Sequence, residues 1–195
     1  MYNIEIRRPN SNDLDELHLF FRLVITNTFK NEGLSHLLDD IENEINSKKQ
    51  YLKDDFDSNG ENRYFLLAID TNNLLAIDTN NDKIIGTIEV GPASTLINSC
   101  TDGVLKDLYE IGTVFILPEY QRKGIGSLLL NTMYLTLLSR GITECCLDSG
   151  YKKAQSIWTK KFGKPSYVLK DYWGESNDHM IWKKSLHDIP IIFEL

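Results

Sequence analysis

Cysteine is scarce and badly spaced for cross-linking: the chain has three in 195 residues, two of them adjacent at Cys145 and Cys146. That pattern makes neither a disulfide framework nor a thiolate zinc site, and no other metal-ligand spacing stands out. A reducing cytoplasm is the expected location. Long apolar runs are missing too. None approaches the roughly 20 residues that span a bilayer, and Met1 to Arg8 has no secretory apolar region. Positive charge is in deficit, with 21 Lys and Arg against 28 Asp and Glu and a net charge of −7. The chain as a whole should therefore repel nucleic acid and anionic membrane, and neither is expected as a partner. Low-complexity sequence is absent. The remainder is ordinary for a soluble globular protein, at 42% hydrophobic and 25% charged. One domain over residues 1–195 is expected, with a tail from 185.

Read in order, Asn3 to Arg8 alternates Ile4 and Ile6 with polar residues, as a half-buried strand does. Asp13 and Glu16 fit a capping box, and Leu14, Leu17, Phe20 or Phe21, Val24 and Phe29 follow at helical spacing. After Gly33, the series Leu34, Leu37, Leu38, Ile41 and Ile45 predicts a second helix. Asp54 to Asn62 is polar and reads as a loop. Arg63 to Asp70 reads as a strand, and here the chain repeats itself: residues 66–73 recur unchanged as residues 74–81. A tandem duplication inside a hairpin is the better reading, with the return strand at Lys83 to Val90. The repeat is even in length, so either copy keeps the same residues facing the core. The first copy belongs in the sheet, because Tyr64 and Phe65 extend it. The second then lies at the tip, exposing Leu74, Leu75 and Ile77. Gly91 to Gly103 reads as a polar loop.

The chain is organised around Tyr109 to Gly126, which reads as a strand, a glycine turn and the start of a helix. Glu110 to Leu117 suits a buried strand, and Pro118 stops it. Gln121-Arg-Lys-Gly-Ile-Gly126 then opens a helix carrying Leu128, Leu129, Met133, Leu137 and Leu138, which ends at Arg140-Gly141. Such a turn presents backbone N–H groups and the positive end of a helix dipole, a site for phosphate. A strand at Glu144 to Asp148, a helix at Lys152 to Phe162 and strands at Tyr167 to Lys170 and Met180 to Lys184 complete the series. The apolar tail Ile189 to Phe193 can add an edge strand or seal a homodimer.

This order of elements, with Gln121-Arg-Lys-Gly-Ile-Gly126 between strand and helix, resembles the GNAT acetyltransferase superfamily. Its signature is Arg or Gln, two residues, Gly, one residue, then Gly or Ala. The resemblance implies an α+β fold: a mixed, mostly antiparallel central sheet of about six to seven strands flanked by helices, with strands four and five splayed. It implies an N-acetyltransferase that moves an acetyl group from acetyl-CoA to a primary amine by direct attack, with no metal. The diphosphate would sit on the N–H groups of Arg122, Lys123, Gly124, Ile125, Gly126 and Ser127, with Gln121, Arg122 and Lys123 nearby. The pantetheine arm would pair with Val114, Phe115 and Ile116. Five lysines between Tyr151 and Lys164 form a local basic cluster that in the family flanks the outer end of the cofactor; a solvated helix face accounts for it equally well.

Glu110 is the candidate base. It lies eleven residues before Gln121, the spacing at which some family members carry a glutamate base, and a carboxylate inside an apolar strand is costly unless paired or hydrated. A strand-end glutamate reaching solvent is the alternative. The family's acid, a tyrosine four residues after the position of Ala154, is replaced by Trp158, whose indole has no proton to give. Tyr151 is the substitute candidate. Tyr172 and Trp173, in the acidic aromatic loop Asp171 to Asp178, are candidate substrate contacts suited to a cationic amine. His179, Cys145 and Cys146 read as structural. Two alternatives stay open: a non-catalytic acyl-CoA-binding module, and a nucleotide-phosphate binder unrelated to the family.

Overall fold

Residues 3–71 and 83–193 are described by the computed structural model. The strands are β1 (Ile4–Arg7), β2 (Tyr64–Asp70), β3 (Lys83–Pro92), β4 (Tyr109–Ile116), β5 (Glu144–Ser149), β6 (Tyr167–Leu169) and β7 (His179–Ser185). The helices are α1 (Leu14–Asn31), α2 (Leu38–Asp57), α3 (Thr95–Cys100), α4 (Ile125–Ser139) and α5 (Lys152–Phe162). The strands form one mixed sheet in the order β1-β2-β3-β4-β5-β7-β6. β1 and β2, β5 and β7, and β6 and β7 run antiparallel, whereas β4 and β5, joined through α4, run parallel. The β4–β5 ladder is two pairs long, Tyr109↔Cys145 and Glu110↔Cys146, although β4 itself continues to Ile116.

Two compact units divide the chain, and β3, β4 and α4 each run through both. The first comprises Met1–Glu89, Thr113–Leu135 and Ile192–Leu195. In it α1 buries Leu17, Phe20, Phe21, Val24, Ile25 and Phe29, the stripe expected from their spacing. Phe21 meets Phe65 and Phe115 at ring-centroid distances of 6.3 and 6.5 Å. At about 1.5–3 kcal/mol for each fully buried apolar side chain, this packing outweighs the small differences in helix propensity among these residues.

Polar interactions set the element ends, and here the sequence reading needs correction. The capping box is formed by Asn10 and Asp13, not by Asp13 and Glu16. Asp13 is drawn away from α1 by Arg7, which donates to it at 2.7 and 2.8 Å. Glu16 instead accepts from the Ile84 amide at 2.8 Å. The expected loop from Asp54 is helical to Asp57 because Asp55, fully buried, accepts from both Arg8 and the Phe65 amide. A polar run thus stays helical when its acid has tertiary partners. Asp55→Ala is expected to lower stability by about 3–5 kcal/mol, since it strands a half-buried guanidinium and a buried N–H; urea denaturation followed by circular dichroism checks this.

β2 takes residues 66–70 of the first repeat copy, as the sequence reading favours. The second copy, with Leu74, Leu75 and Ile77, lies outside the described residues.

The second unit comprises Val90–Gly112 and Thr136–Ile191. Its core gathers Ala93, Ile97, Leu105, Cys146 and Ile181. The expected polar loop after β3 contains α3, capped by the Ser94 hydroxyl, which accepts from the Ile97 amide at 3.2 Å. Six residues with one deeply buried side chain are too short to show a helical period. The tail forms a 3-10 turn at Leu186–Asp188, and among the described residues it adds no strand. Asn131 of α4 donates to the Ile192 carbonyl instead. No described helix is long and apolar enough to cross a membrane.

Candidate functional site

In the first unit β4 ends at Ile116, a 3-10 turn follows at Pro118–Tyr120, and α4 begins at Ile125. The intervening backbone enters left-handed space twice, at Arg122 (φ +60°) and Gly124 (φ +84°). The glycine is at home there; a left-handed arginine is uncommon. Ser127 and Leu128 both donate to the Gly124 carbonyl, at 2.9 and 3.0 Å. The helical ladder therefore starts at that carbonyl, and the amides of residues 124–126 lie ahead of it, at the open end of the helix. The amide of Ser127, included in the expected cradle, is spent on this ladder.

No acidic residue occupies the first turn of α4, so that turn itself brings no carboxylate to the positive end of the dipole. A Cβ added at Gly124 meets nothing within 4 Å, and one at Gly126 meets only Ile116, at 3.9 Å. Space is thus open beside both glycines. Gln121 folds back so that its side-chain amide donates to the Ile116 carbonyl at 3.2 Å, joining the turn to the end of the strand. Lys123 lies over the Tyr120 ring at 5.1 Å, and the Tyr120 hydroxyl donates to Asp70 at 2.9 Å. The structure thus brings Ile116, at the end of the segment Val114 to Ile116, together with the turn Gln121 to Ser127. Gly86 of β3 supports this region: a Cβ there would lie 2.7 Å from the Ile116 side chain and 3.2 Å from the Phe115 carbonyl.

Glu110, Tyr151, Tyr172 and Trp173 lie in the second unit. Glu110 is half-buried and accepts from the Ser94 amide at 2.7 Å, so its carboxylate also fixes the start of α3. Tyr151 stands at the N-cap of α5. Trp158 stacks on Phe162 at 5.7 Å and 17°. Lys152 and Lys160 of α5, with Gln155, Ser156, Thr159 and Met180, line a recess of about 530 Å³.

Tyr172 and Trp173 are solvent-exposed and pack edge to face, 4.9 Å apart. Buried His179 holds Trp173: the indole N–H donates to Nδ1 at 3.1 Å, and Nε2 lies 3.1 Å from the Asp148 carboxylate. Because the indole can only donate, Nδ1 is the acceptor and Nε2 carries the proton given to Asp148. His179 thus links Trp173 to Asp148.

Burial, followed by the neighbouring Glu144 carboxylate, pushes the Cys145 thiol up to about 12. Burial and then the Glu110 carboxylate push Cys146 up as well. Thiols held protonated this way are packing residues, not nucleophiles. Among the described residues no group of three or more His, Cys, Asp and Glu could hold a metal ion.

Two features of the first unit escape the sequence reading. Glu89 of β3 is almost fully buried and paired with Arg63 at 2.5 Å. An acid inside an apolar strand is the signal that singles out Glu110, and it applies equally to Glu89. Thr113 of β4, also buried, has φ +50°; no sequence signal marks a left-handed threonine.

The model of the acetyltransferase (GNAT) family matches residues 33–163, two thirds of the chain. This chain belongs to that family. Among solved structures, PaiA N-acetyltransferase from Thermoplasma acidophilum in complex with coenzyme A matches with a TM-score of 0.62 at 21% identity, covering 93% of this chain and 99% of that one. Ribosomal-protein-alanine N-acetyltransferase from Brucella melitensis matches with a TM-score of 0.61 at 18% identity, covering 93% and 99%. An aminoglycoside 6′-N-acetyltransferase complexed with coenzyme A matches with a TM-score of 0.60 at 15% identity, covering 95% and 99%. These likenesses bear out the expected sheet with its flanking helices. No curated protein matches the chain.

Proposed function

We propose that the protein is an N-acetyltransferase that moves the acetyl group of acetyl-CoA to a primary amine by direct attack, within a reducing cytoplasm. The observation that carries this reading is the turn from Gln121 to Gly126. Its amides precede the α4 ladder, its glycines leave open space, and no acid stands in the first turn. That geometry suits a diphosphate, and the extended segment Val114 to Ile116 suits an amide-bearing arm.

In the reaction, the acceptor nitrogen attacks the thioester carbonyl carbon as Glu110, directly or through water, takes a proton from the amine. The C–S bond breaks, and the departing thiolate takes a proton from Tyr151 or from water. Tyr172 and Trp173 offer exposed aromatic faces to a cationic amine. The names of the similar structures, ribosomal-protein alanine and aminoglycoside enzymes, point to a peptide or a small amine as acceptor.

Trp158 favours a second reading, a non-catalytic acyl-CoA-binding module, because a tryptophan stacked on Phe162 stands where the family's tyrosine is expected and offers no proton. Thermal melts test the binding step that both readings share. Acetyl-CoA at about 100 times its dissociation constant should raise the melting temperature by about 5–10 °C, and ATP or NAD should not. Protection by ATP or NAD with none from acetyl-CoA contradicts the proposal.

A further inference from the structure

Glu89 is a buried carboxylate that the proposed transfer chemistry leaves unused. It sits in β3 at 2% exposure. Arg63, stacked on the Tyr51 ring at 3.8 Å, donates to Oε2. The Thr113 hydroxyl donates to Oε1 at 3.3 Å. Burial pushes the Glu89 carboxyl up from its usual range, against the opposing pull of Arg63, Lys48 and the Thr113 hydroxyl. Such a group is costly to bury, and a well-packed apolar pair of similar volume would often serve stability as well.

What this carboxylate touches is the strained residue of β4. Thr113 is β-branched and buried, yet its φ is +50°, a region such residues rarely enter. A left-handed residue within a strand breaks its regular extended backbone and turns the direction of the chain after it. The next three residues are Val114, Phe115 and Ile116. Thr113 is held from both ends: its hydroxyl goes to Glu89, and its carbonyl accepts from the Thr87 hydroxyl at 2.9 Å.

We propose that Glu89, clamped by Arg63, is a positioning residue that holds Thr113 in this conformation and thereby aims the backbone edge Val114 to Ile116 at the acyl-CoA arm. This rests on the reading of that edge as the arm's binding strand. Breaking the buried pair costs folding stability as well, so the Thr113 variants, which leave the pair intact, carry the affinity readout.

The test is calorimetric titration of the full chain with acetyl-CoA, alongside thermal melts, and needs no acceptor. Thr113→Val keeps the shape and removes the donor; Thr113→Ser keeps the donor. Thr113→Val and Glu89→Gln should weaken acetyl-CoA about tenfold, the effect of one hydrogen bond. Thr113→Ser should stay within about threefold of the wild type and so rescue the loss. If Thr113→Val binds as tightly as the wild type, or if Thr113→Ser loses as much as Thr113→Val, the positioning role is overturned. If Glu89→Gln does not fold, the valine and serine variants still decide. Failure of the wild type to bind acetyl-CoA at all overturns the underlying reading as well, and is recognised by appearing before any substitution is made.

Discussion

Gly124→Asp is expected to weaken coenzyme A binding by about a thousandfold and to leave the fold intact. A Cβ at position 124 has open space around it, so the new side chain does not clash. Its φ of +84° is strained for most residues, but aspartate is among those that tolerate left-handed backbone best. The carboxylate would stand at the positive end of the α4 dipole, which favours an anion there. The fold should therefore lose about 1–2 kcal/mol. The bound diphosphate meets a different situation. The new negative charge occupies the space assigned to its own, and two like charges about 4 Å apart near a protein surface repel by about 4 kcal/mol. The affinity loss should be on the order of a thousandfold. Gly124→Asn, of the same shape but neutral, separates charge from strain and should lose far less. Titration calorimetry with coenzyme A reads both, and equal losses for Asp and Asn would show that charge is not the cause.

Glu110→Gln is expected to lower turnover at neutral pH by about 10²–10⁴-fold, the range typical of a positioned general base, with coenzyme A affinity unchanged. The amide retains an oxygen to accept from the Ser94 N–H, so α3 keeps its anchor while the proton acceptor is lost. Glu110→Ala removes both functions. If Glu110 serves only to fix α3, Gln should turn over like the wild type and Ala should melt earlier. A steady-state assay of the two variants beside their melting curves distinguishes the roles.

The fold was legible wherever local pattern and tertiary demand agree. The stripe on α1, the strand before Pro118 and the lysine-rich α5 follow from spacing and turn residues alone, and α5 has the bounds read from sequence. Reading failed where a distant partner overrides a local signal. Asp55 keeps a polar run helical because Arg8 and the Phe65 amide claim its carboxylate. Arg7 takes Asp13, and Ile84 takes Glu16, from the capping box their spacing suggests. Of the candidate site, the turn before α4 was visible because Gly124 marks its left-handed step, whereas the left-handed Arg122 carries no sequence signal. The strained Thr113 and the Arg63–Glu89 pair behind it were not visible, since the pairing partner of a strand acid is set by the sheet and not by its neighbours in sequence.

The measurement that tests the account most directly is turnover. The protein is incubated with acetyl-CoA and a panel of amines that includes aminoglycosides, polyamines and peptides with free N-termini, while thiol release and acceptor mass are followed. The account predicts stoichiometric release of coenzyme A thiol together with the mass gain of one acetyl group on at least one amine. Tight acetyl-CoA binding with no acetylated product from any amine in the panel would contradict it and favour the non-catalytic reading.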